Sequence, residues 1–198
     1  MRRQSAMPGE AAGLDWLADG GRPVLYGGKK GLKKMADLVV RLAHESERPV
    51  FERLWMLFRH DMSEFRGTLP NPDGTFRSER LERAFTDPGW APYLILSADR
   101  PVGFAIVRNL DGQVRVLNSY FVVRGARRSG IGLQGVESVV SRHPGKWEVA
   151  FQDENQVAVK FWRRAAAEIA GESWEETRRP VPGQPEVPPD VWISFEVK

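Results

Sequence analysis

The chain has 198 residues, a length typical of one domain or of one domain with an additional arm. Its net charge of +3 suits an anionic ligand, but no basic stripe interleaved with aromatic residues indicates a nucleic-acid-binding surface. The absence of cysteine excludes a disulfide framework, a thiolate zinc site and a cysteine nucleophile, and His44, His60 and His143 do not have the spacing of metal ligands.

No apolar run approaches the roughly 18 residues of a membrane-spanning helix, and no signal-peptide segment is found. We therefore expect a cytoplasmic protein that has neither membrane nor nucleic acid as a partner. Residues 1–34 are rich in glycine and lysine and weakly periodic, which predicts an arm of uncertain order before a domain over residues 35–198. The alternative is a docked N-terminal element that packs through Leu14, Trp16, Leu17, Val24 and Leu25.

From residue 37 onward, hydrophobic periodicity and turn residues predict a mixed α/β domain. In chain order, the predicted elements are a strand over Asp37–Ala43, helices over Arg48–Phe65 and Ser78–Phe85, strands over Pro92–Ser97, Val102–Arg108 and Val116–Val123, a helix from Ser129, a strand over Trp147–Gln152, a helix after Asn155 that ends near Gly171, and strands over Trp174–Arg179 and Val191–Val197. In the first helix the predicted apolar face is Val50, Phe51, Leu54, Leu57 and Phe58.

The strand over Val116–Val123 leads into a basic turn, Arg124–Arg128, and then into Ser129–Gly132, which opens a helix. The first N–H groups of a helix have no intrahelical partner, and the helix dipole is positive at this end. Glycines also let a phosphate approach the backbone closely. This combination predicts an anion site at the start of the helix.

The pattern Arg127-x-x-Gly130-x-Gly132 resembles the coenzyme A pyrophosphate loop of the GNAT acetyltransferase superfamily. Downstream, Asn155-x-x-Ala158-x-x-Phe161-Trp162 is similar to the helix that follows the next strand in that family. The resemblance implies a central, mostly antiparallel sheet of about seven strands, splayed between the fourth and fifth strands and flanked by four helices.

The resemblance also implies an enzyme that transfers the acetyl group of acetyl-CoA to a primary amine of a small molecule or peptide, by direct attack on the thioester, without a metal. The protein is expected to be a monomer or a homodimer. A backbone N–H at a bulge around Val122 would polarise the thioester. The cofactor-binding residues implied in this way are Phe121, Val122, Val123, Arg127, Arg128, Ser129, Gly130, Ile131, Gly132 and Asn155.

The candidate catalytic residues are less directly indicated. Asp61 and Glu64 lie three apart near the end of the first long helix, where they share a face and would attract a cationic amine, so each is a candidate general base. Glu148 is a further candidate. Trp162 stands where family members often place a tyrosine that protonates the leaving thiolate, and Tyr120 is the nearby candidate to replace it.

Three alternatives stay open from the sequence. Gly130-x-Gly132-x-x-Gly135 also satisfies the fingerprint of a nicotinamide dinucleotide-binding domain, with Asp153 about 20 residues further on. The tryptophan at the position of the thiol acid is compatible with a non-catalytic acyl-CoA-binding module. The glycines could also be only the start of a helix that binds nothing.

Overall fold

A computed structural model of the chain describes residues 38–198, so the predicted N-terminal arm lies outside the described residues. The strands are β1 (Leu38–Leu42), β2 (Trp90–Ser97), β3 (Arg100–Arg108), β4 (Val114–Val122), β5 (Gly145–Phe151), β6 (Trp174–Arg179) and β7 (Asp190–Val197). The α-helices are α1 (Arg48–Arg66), α2 (Glu79–Thr86), α3 (Ile131–Val140) and α4 (Gln156–Ala170). The order of elements confirms the prediction, with ends shifted by one or two residues.

The seven strands form one sheet in the order β1-β2-β3-β4-β5-β7-β6. Every neighbouring pair in this sheet is antiparallel except β4 and β5, which are parallel. Their pairing runs only from Val114↔Lys146 to Leu117↔Val149, although β4 continues for five residues beyond Leu117. The sheet therefore opens between its fourth and fifth strands, as the resemblance implied.

A β-bulge marks the point where the sheet begins to open. The register between β3 and β4 shifts between the pairs Ile106↔Ser119 and Val107↔Leu117, so Asn118 is the extra residue on β4. The bulge was expected further along the strand, around Val122, but Val122 pairs regularly with Gly103. A bulge re-aims the neighbouring backbone groups, and here it does so beside the opening.

The sheet separates two apolar cores. One contains the buried side chains of α3 and α4, and the other contains Phe51, Leu54 and Trp55 of α1 together with residues of α2. Trp55 was not predicted to be buried, whereas Leu57 was predicted to be and is 52% exposed. The indole Nε1 of Trp55 donates to the carbonyl of Arg77 over 2.9 Å, so this face of α1 is fixed partly by a long-range hydrogen bond.

Among residues 38–198, no helix combines the length and the hydropathy needed to cross a membrane.

Candidate functional site

The exposed backbone of β4 forms one wall of the opening. Residues 119–122 are paired with β3 on one side, and the partner strand on the other side stops at Val149. Apart from the carbonyl of Val122, which accepts from Arg127 Nε, their remaining N–H and C=O groups can receive an extended ligand as an added strand. Two of the residues expected to bind the cofactor, Phe121 and Val122, lie on this edge, and Val123 follows directly.

The basic turn forms a compact loop between β4 and α3. It includes a short 3₁₀ turn over Arg124–Ala126, and the hydroxyl of Ser129 donates to the carbonyl of Ala126 over 2.7 Å. Gly130 is the N-cap of α3 and has a φ of +88°, a conformation that a residue with a Cβ rarely adopts. The loop therefore requires glycine at this position to turn into the helix.

The N-terminus of α3 offers free backbone donors. The first helical bond joins the N–H of Gln134 to the carbonyl of Gly130, and no side chain caps this end. The N–H groups of Ile131, Gly132 and Leu133 precede that bond, so they are free to donate to a ligand. A Cβ built on Gly130 would meet only the Gln134 amide, at 3.6 Å, which leaves room for a bulky anion.

Gly132 and Gly135 allow close packing of α3 and do not leave room for a ligand. A Cβ on Gly132 would lie 3.2 Å from the ring of Phe161 on α4, which is tighter than an ordinary contact. A Cβ on Gly135 would collide with the hydroxyl of Tyr120. These glycines let α3 lie close to both β4 and α4, and so fix where its N-terminus points.

The arginines of the loop are tied to α1. Asp61 of α1 accepts hydrogen bonds from Arg124 Nη2 at 2.9 Å and from Arg127 Nη2 at 2.6 Å. Arg127 also donates from Nε to the carbonyl of Val122 over 2.7 Å. Its guanidinium therefore lies back over the end of β4, and it holds α1, β4 and the loop together.

This arrangement changes the electrostatics of Asp61. Burial of the carboxylate acts to raise its pKa, but the hydrogen bonds from Arg127 and Arg124 outweigh burial, so the pKa lies below its usual range. Both carboxylate oxygens are engaged. The neighbouring candidate base, Glu64, is exposed one turn further along α1. Asp61 stays ionised near neutral pH but is a weak proton acceptor.

Of the remaining loop residues, Arg128 is exposed and has a φ of +63°. Asn155 is the N-cap of α4, and its Oδ1 accepts from the N–H of Ala158 over 3.0 Å.

Glu148, the third candidate base, accepts from Arg179 at 2.8 Å and from Ser194 at 3.2 Å. The bonds from Arg179 chiefly lower the pKa of Glu148, so it too is a weak base.

Tyr120 and Trp162 form an aromatic group with Phe161 behind β4. The ring of Tyr120 is stacked on Phe161 with centroids 6.0 Å apart and meets Trp162 edge-on at 5.7 Å. Its hydroxyl donates to the carbonyl of Gly132 over 2.6 Å, and burial raises the pKa of this phenol, so it remains protonated. Trp162 is 7% exposed and belongs to the core.

A second opening lies on the opposite face of the sheet from α3 and α4, beside α2. This cavity has a volume of about 280 Å³. The residue of the β4 bulge, Asn118, is part of the lining. The full lining is Glu79, Arg80, Arg83, Trp90, Arg108 and Asn118. Sequence reasoning missed these residues, because α2 and the ends of β2 and β3 come together only in the folded chain. The one local signal was the concentration of arginines over residues 77–83.

The fold is shared with several solved acetyltransferase structures. At 14% identity, an acetyltransferase from Thermus thermophilus is similar over 82% of this chain and 99% of its own, with a TM-score of 0.60. A GNAT family acetyltransferase from Elizabethkingia anophelis with acetyl-CoA bound is 11% identical over 81% of this chain and 98% of its own, with a TM-score of 0.58. An aminoglycoside acetyltransferase, AAC(6')-Ib, in complex with coenzyme A is 16% identical over 81% of this chain and 95% of its own, with a TM-score of 0.59.

The sequence model of the acetyltransferase (GNAT) family matches residues 34–166. The chain belongs to this family and is an acetyl-CoA-dependent N-acetyltransferase. No curated protein matches it by sequence.

The nicotinamide dinucleotide alternative does not fit this fold. A doubly wound dinucleotide-binding sheet is built from consecutive parallel strands, whereas β4 and β5 are the one parallel pair in the part of the chain that the structure describes. Asp153, which would have to bind a ribose, instead accepts from Arg178 over 2.8 Å. Gly135, the third glycine of the fingerprint, packs against Tyr120.

Proposed function

We propose that the chain transfers the acetyl group of acetyl-CoA to a primary amine of a small molecule or peptide by direct attack of the amine on the thioester. The fold is shared with proteins described as an aminoglycoside acetyltransferase and, in Escherichia coli, as a ribosomal-protein-S18-alanine N-acetyltransferase. Both kinds of acceptor present an amine. The complete absence of cysteine supports direct attack, because no thiol of the chain can form an acyl-enzyme.

The observation that carries this proposal is the opening of the sheet next to an uncapped helix. The exposed edge of β4 beyond Leu117 would pair with the pantetheine arm, and the N–H groups at the start of α3 would bind the pyrophosphate. The bulge at Asn118 would direct a backbone N–H at the thioester oxygen, where negative charge develops during attack. In this arrangement, backbone groups rather than particular side chains hold and polarise the cosubstrate.

The structure favours a positioning role for Asp61 over that of general base. Its carboxylate is shared between Arg124 and Arg127, and a pKa below the usual range gives little driving force for taking a proton from an ammonium group. We infer that Asp61 holds the loop in position for the pyrophosphate. The acceptor proton would then leave through water, with the exposed Glu64 as the remaining candidate base near the end of this helix.

Tyr120 would provide the proton for the departing thiolate. Burial raises the pKa of its hydroxyl, so the group stays protonated and holds a proton to donate, but it is a weak acid toward a thiolate. Its present partner is the carbonyl of Gly132, in the first turn of α3. A thiol with a pKa on the order of 8.5 leaves readily, so we expect this step to assist turnover rather than to be essential for it.

The test is a screen of purified protein with acetyl-CoA and a panel of primary amines. Release of free coenzyme A and gain of one acetyl group by the amine would be measured together. Acetylated product from at least one amine supports the proposal. Saturable binding of acetyl-CoA without turnover on any amine would contradict it and favour the acyl-CoA-binding module.

A further inference from the structure

The cavity beside α2 has an unusual balance of charge. Among the charged side chains that line it, Arg83 donates to Asp87 over 2.9 Å and Glu79 accepts from Arg77 over 3.0 Å, so both are neutralised. Arg80 and Arg108, by contrast, have no carboxylate within 4.0 Å among residues 38–198. The cavity wall therefore carries two positive charges that form no direct ion pair within the described part of the chain.

The Arg108 side chain is partly buried, whereas Arg80 is exposed. The Nε of Arg108 is buried and has no hydrogen-bond partner within the described residues, and the same is true of Arg59 on α1. Burial is the main cause that lowers the pKa of Arg59, Arg80 and Arg108, and neighbouring arginines lower it further, while more distant carboxylates act in the opposite direction. Arginine keeps its charge in proteins, so an anion that enters the cavity meets positive charge.

The position of the cluster connects it with the reaction. Arg108 ends β3, and its strand neighbour on β4 is Val116, two residues before the bulge at Asn118. Asn118 lines the cavity and also stands where β4 separates from β5. A small molecule whose one end lies among the arginines can therefore present its other end to the opening of the sheet.

We propose that this cavity binds an anionic group of the acceptor, so that the substrate is a small amine that also carries a carboxylate or a phosphate. The planar guanidinium fork of arginine matches both anions with paired, charge-assisted hydrogen bonds. A volume of about 280 Å³ suits a fragment of metabolite size. The same charges repel polycationic amines. This inference rests on the proposed amine acetylation.

The first experiment compares acceptors that differ only in the anionic group. The pairs are β-alanine with its amide and phosphoethanolamine with ethanolamine, and spermidine is the polycationic probe. We expect kcat/KM to be about ten- to a hundredfold higher for the anionic member of at least one pair, the range that charge-assisted hydrogen bonds give. The preferred pair identifies the anion as carboxylate or phosphate. Equal rates within both pairs, or preference for spermidine, would overturn the proposal.

The second experiment replaces the two arginines of the cavity one at a time. Arg108→Gln and Arg80→Gln should each lower kcat/KM for the anionic acceptor about ten- to a hundredfold and change the rate of its neutral analogue less than about twofold. Arg108→Lys keeps the charge without the fork and covers the case in which Arg108→Gln does not fold. Arg100→Gln, an exposed arginine at the start of β3, is the matched control. Equal losses for both acceptors would mean that the arginines are only structural.

A measurement that does not depend on turnover separates this inference from the proposed function. Titration of the full chain with inorganic phosphate should shift the NMR resonance of one Nε–H saturably, and that resonance should be absent from the Arg108→Lys variant. If no amine is acetylated but this shift is seen, amine transfer fails while the anion site stands. If amines are acetylated and neither phosphate nor a carboxylate such as acetate moves the resonance, the anion site fails while the proposed function stands.

Discussion

Replacement of Asp61 by asparagine separates a positioning carboxylate from a general base. The Asp61 side chain is 19% exposed, and its partners Arg124 and Arg127 are 69% and 39% exposed. Solvent screening therefore reduces what two charge-assisted bonds would otherwise contribute. We expect a loss of about 1 to 2 kcal/mol of unfolding free energy, which corresponds to a fall in Tm of about 3 to 6 °C for a domain of this size.

The effect should depend on pH in a defined direction. The folded-state pKa of Asp61 lies below its unfolded value, so the stabilisation is fully present above about pH 4 and is lost as the pH falls through the folded pKa. Thermal melts of the wild type and Asp61→Asn from pH 7 to pH 2 should therefore converge at the acidic end. Glu64→Gln removes a carboxylate that has no ion-pair partner among residues 38–198, and should leave Tm nearly unchanged.

Kinetics of the same variant complete the test. If Asp61 positions the loop, Asp61→Asn should raise KM for acetyl-CoA while kcat at saturation stays within a few fold and the pH–rate profile keeps its shape. A loss of kcat by a hundredfold or more, with the acidic limb of the profile removed and Tm unchanged, would refute the positioning role and restore Asp61 as the base.

Three further predictions concern the loop, the aromatic group and the N-terminus of α1. Gly130→Ala should cost about 1 kcal/mol of unfolding free energy, because the backbone at this position has a φ of +88°. Gly130→Glu should in addition abolish the binding of acetyl-CoA measured by calorimetry. Wild-type affinity in the glutamate variant would disprove the pyrophosphate role. Tyr120→Phe should lose about 1 kcal/mol with the bond to Gly132 and reduce kcat, and an unchanged kcat would exclude it as the thiol acid. The pKa of Glu47 is lowered to about 2, chiefly by the hydrogen bonds from Arg41. Glu47→Gln should therefore lower Tm at pH 7, and the Tm values of variant and wild type should converge towards pH 2. A difference in Tm that persists at pH 2 would contradict the ion pair.

Local pattern was enough to predict the order of elements and the loop. Periodicity identified each strand and helix, and the glycines of the loop marked the start of α3 within two residues. Trp55 was missed although helical spacing places it on one face with Phe51 and Phe58, and its indole also donates to the carbonyl of Arg77, 22 residues away. The bulge was expected near Val122 but lies at Asn118, since a bulge is defined by pairing with β3 and not by the sequence of β4 alone.

The side-chain chemistry of the site depended on contacts that no local pattern carries. Asp61 is 63 residues from Arg124 and 66 from Arg127, so its appearance as a free carboxylate on a helix face was misleading. The arginine cavity draws on α2, β2, β3 and β4 in the same way. Asp61 and Glu64 suggested an acidic acceptor surface, and the arginine-lined cavity is the acceptor site that we propose instead.

The most direct test of the account is a calorimetric titration of the purified chain with acetyl-CoA, with NADH as the control and Gly130→Glu as the matched variant. We expect saturable, low-micromolar binding of acetyl-CoA to the wild type, no binding of acetyl-CoA to the variant and no binding of NADH to either. Absence of acetyl-CoA binding to the wild type, or unchanged binding to a folded Gly130→Glu variant, would contradict the assignment of the loop between β4 and α3 as the cosubstrate site.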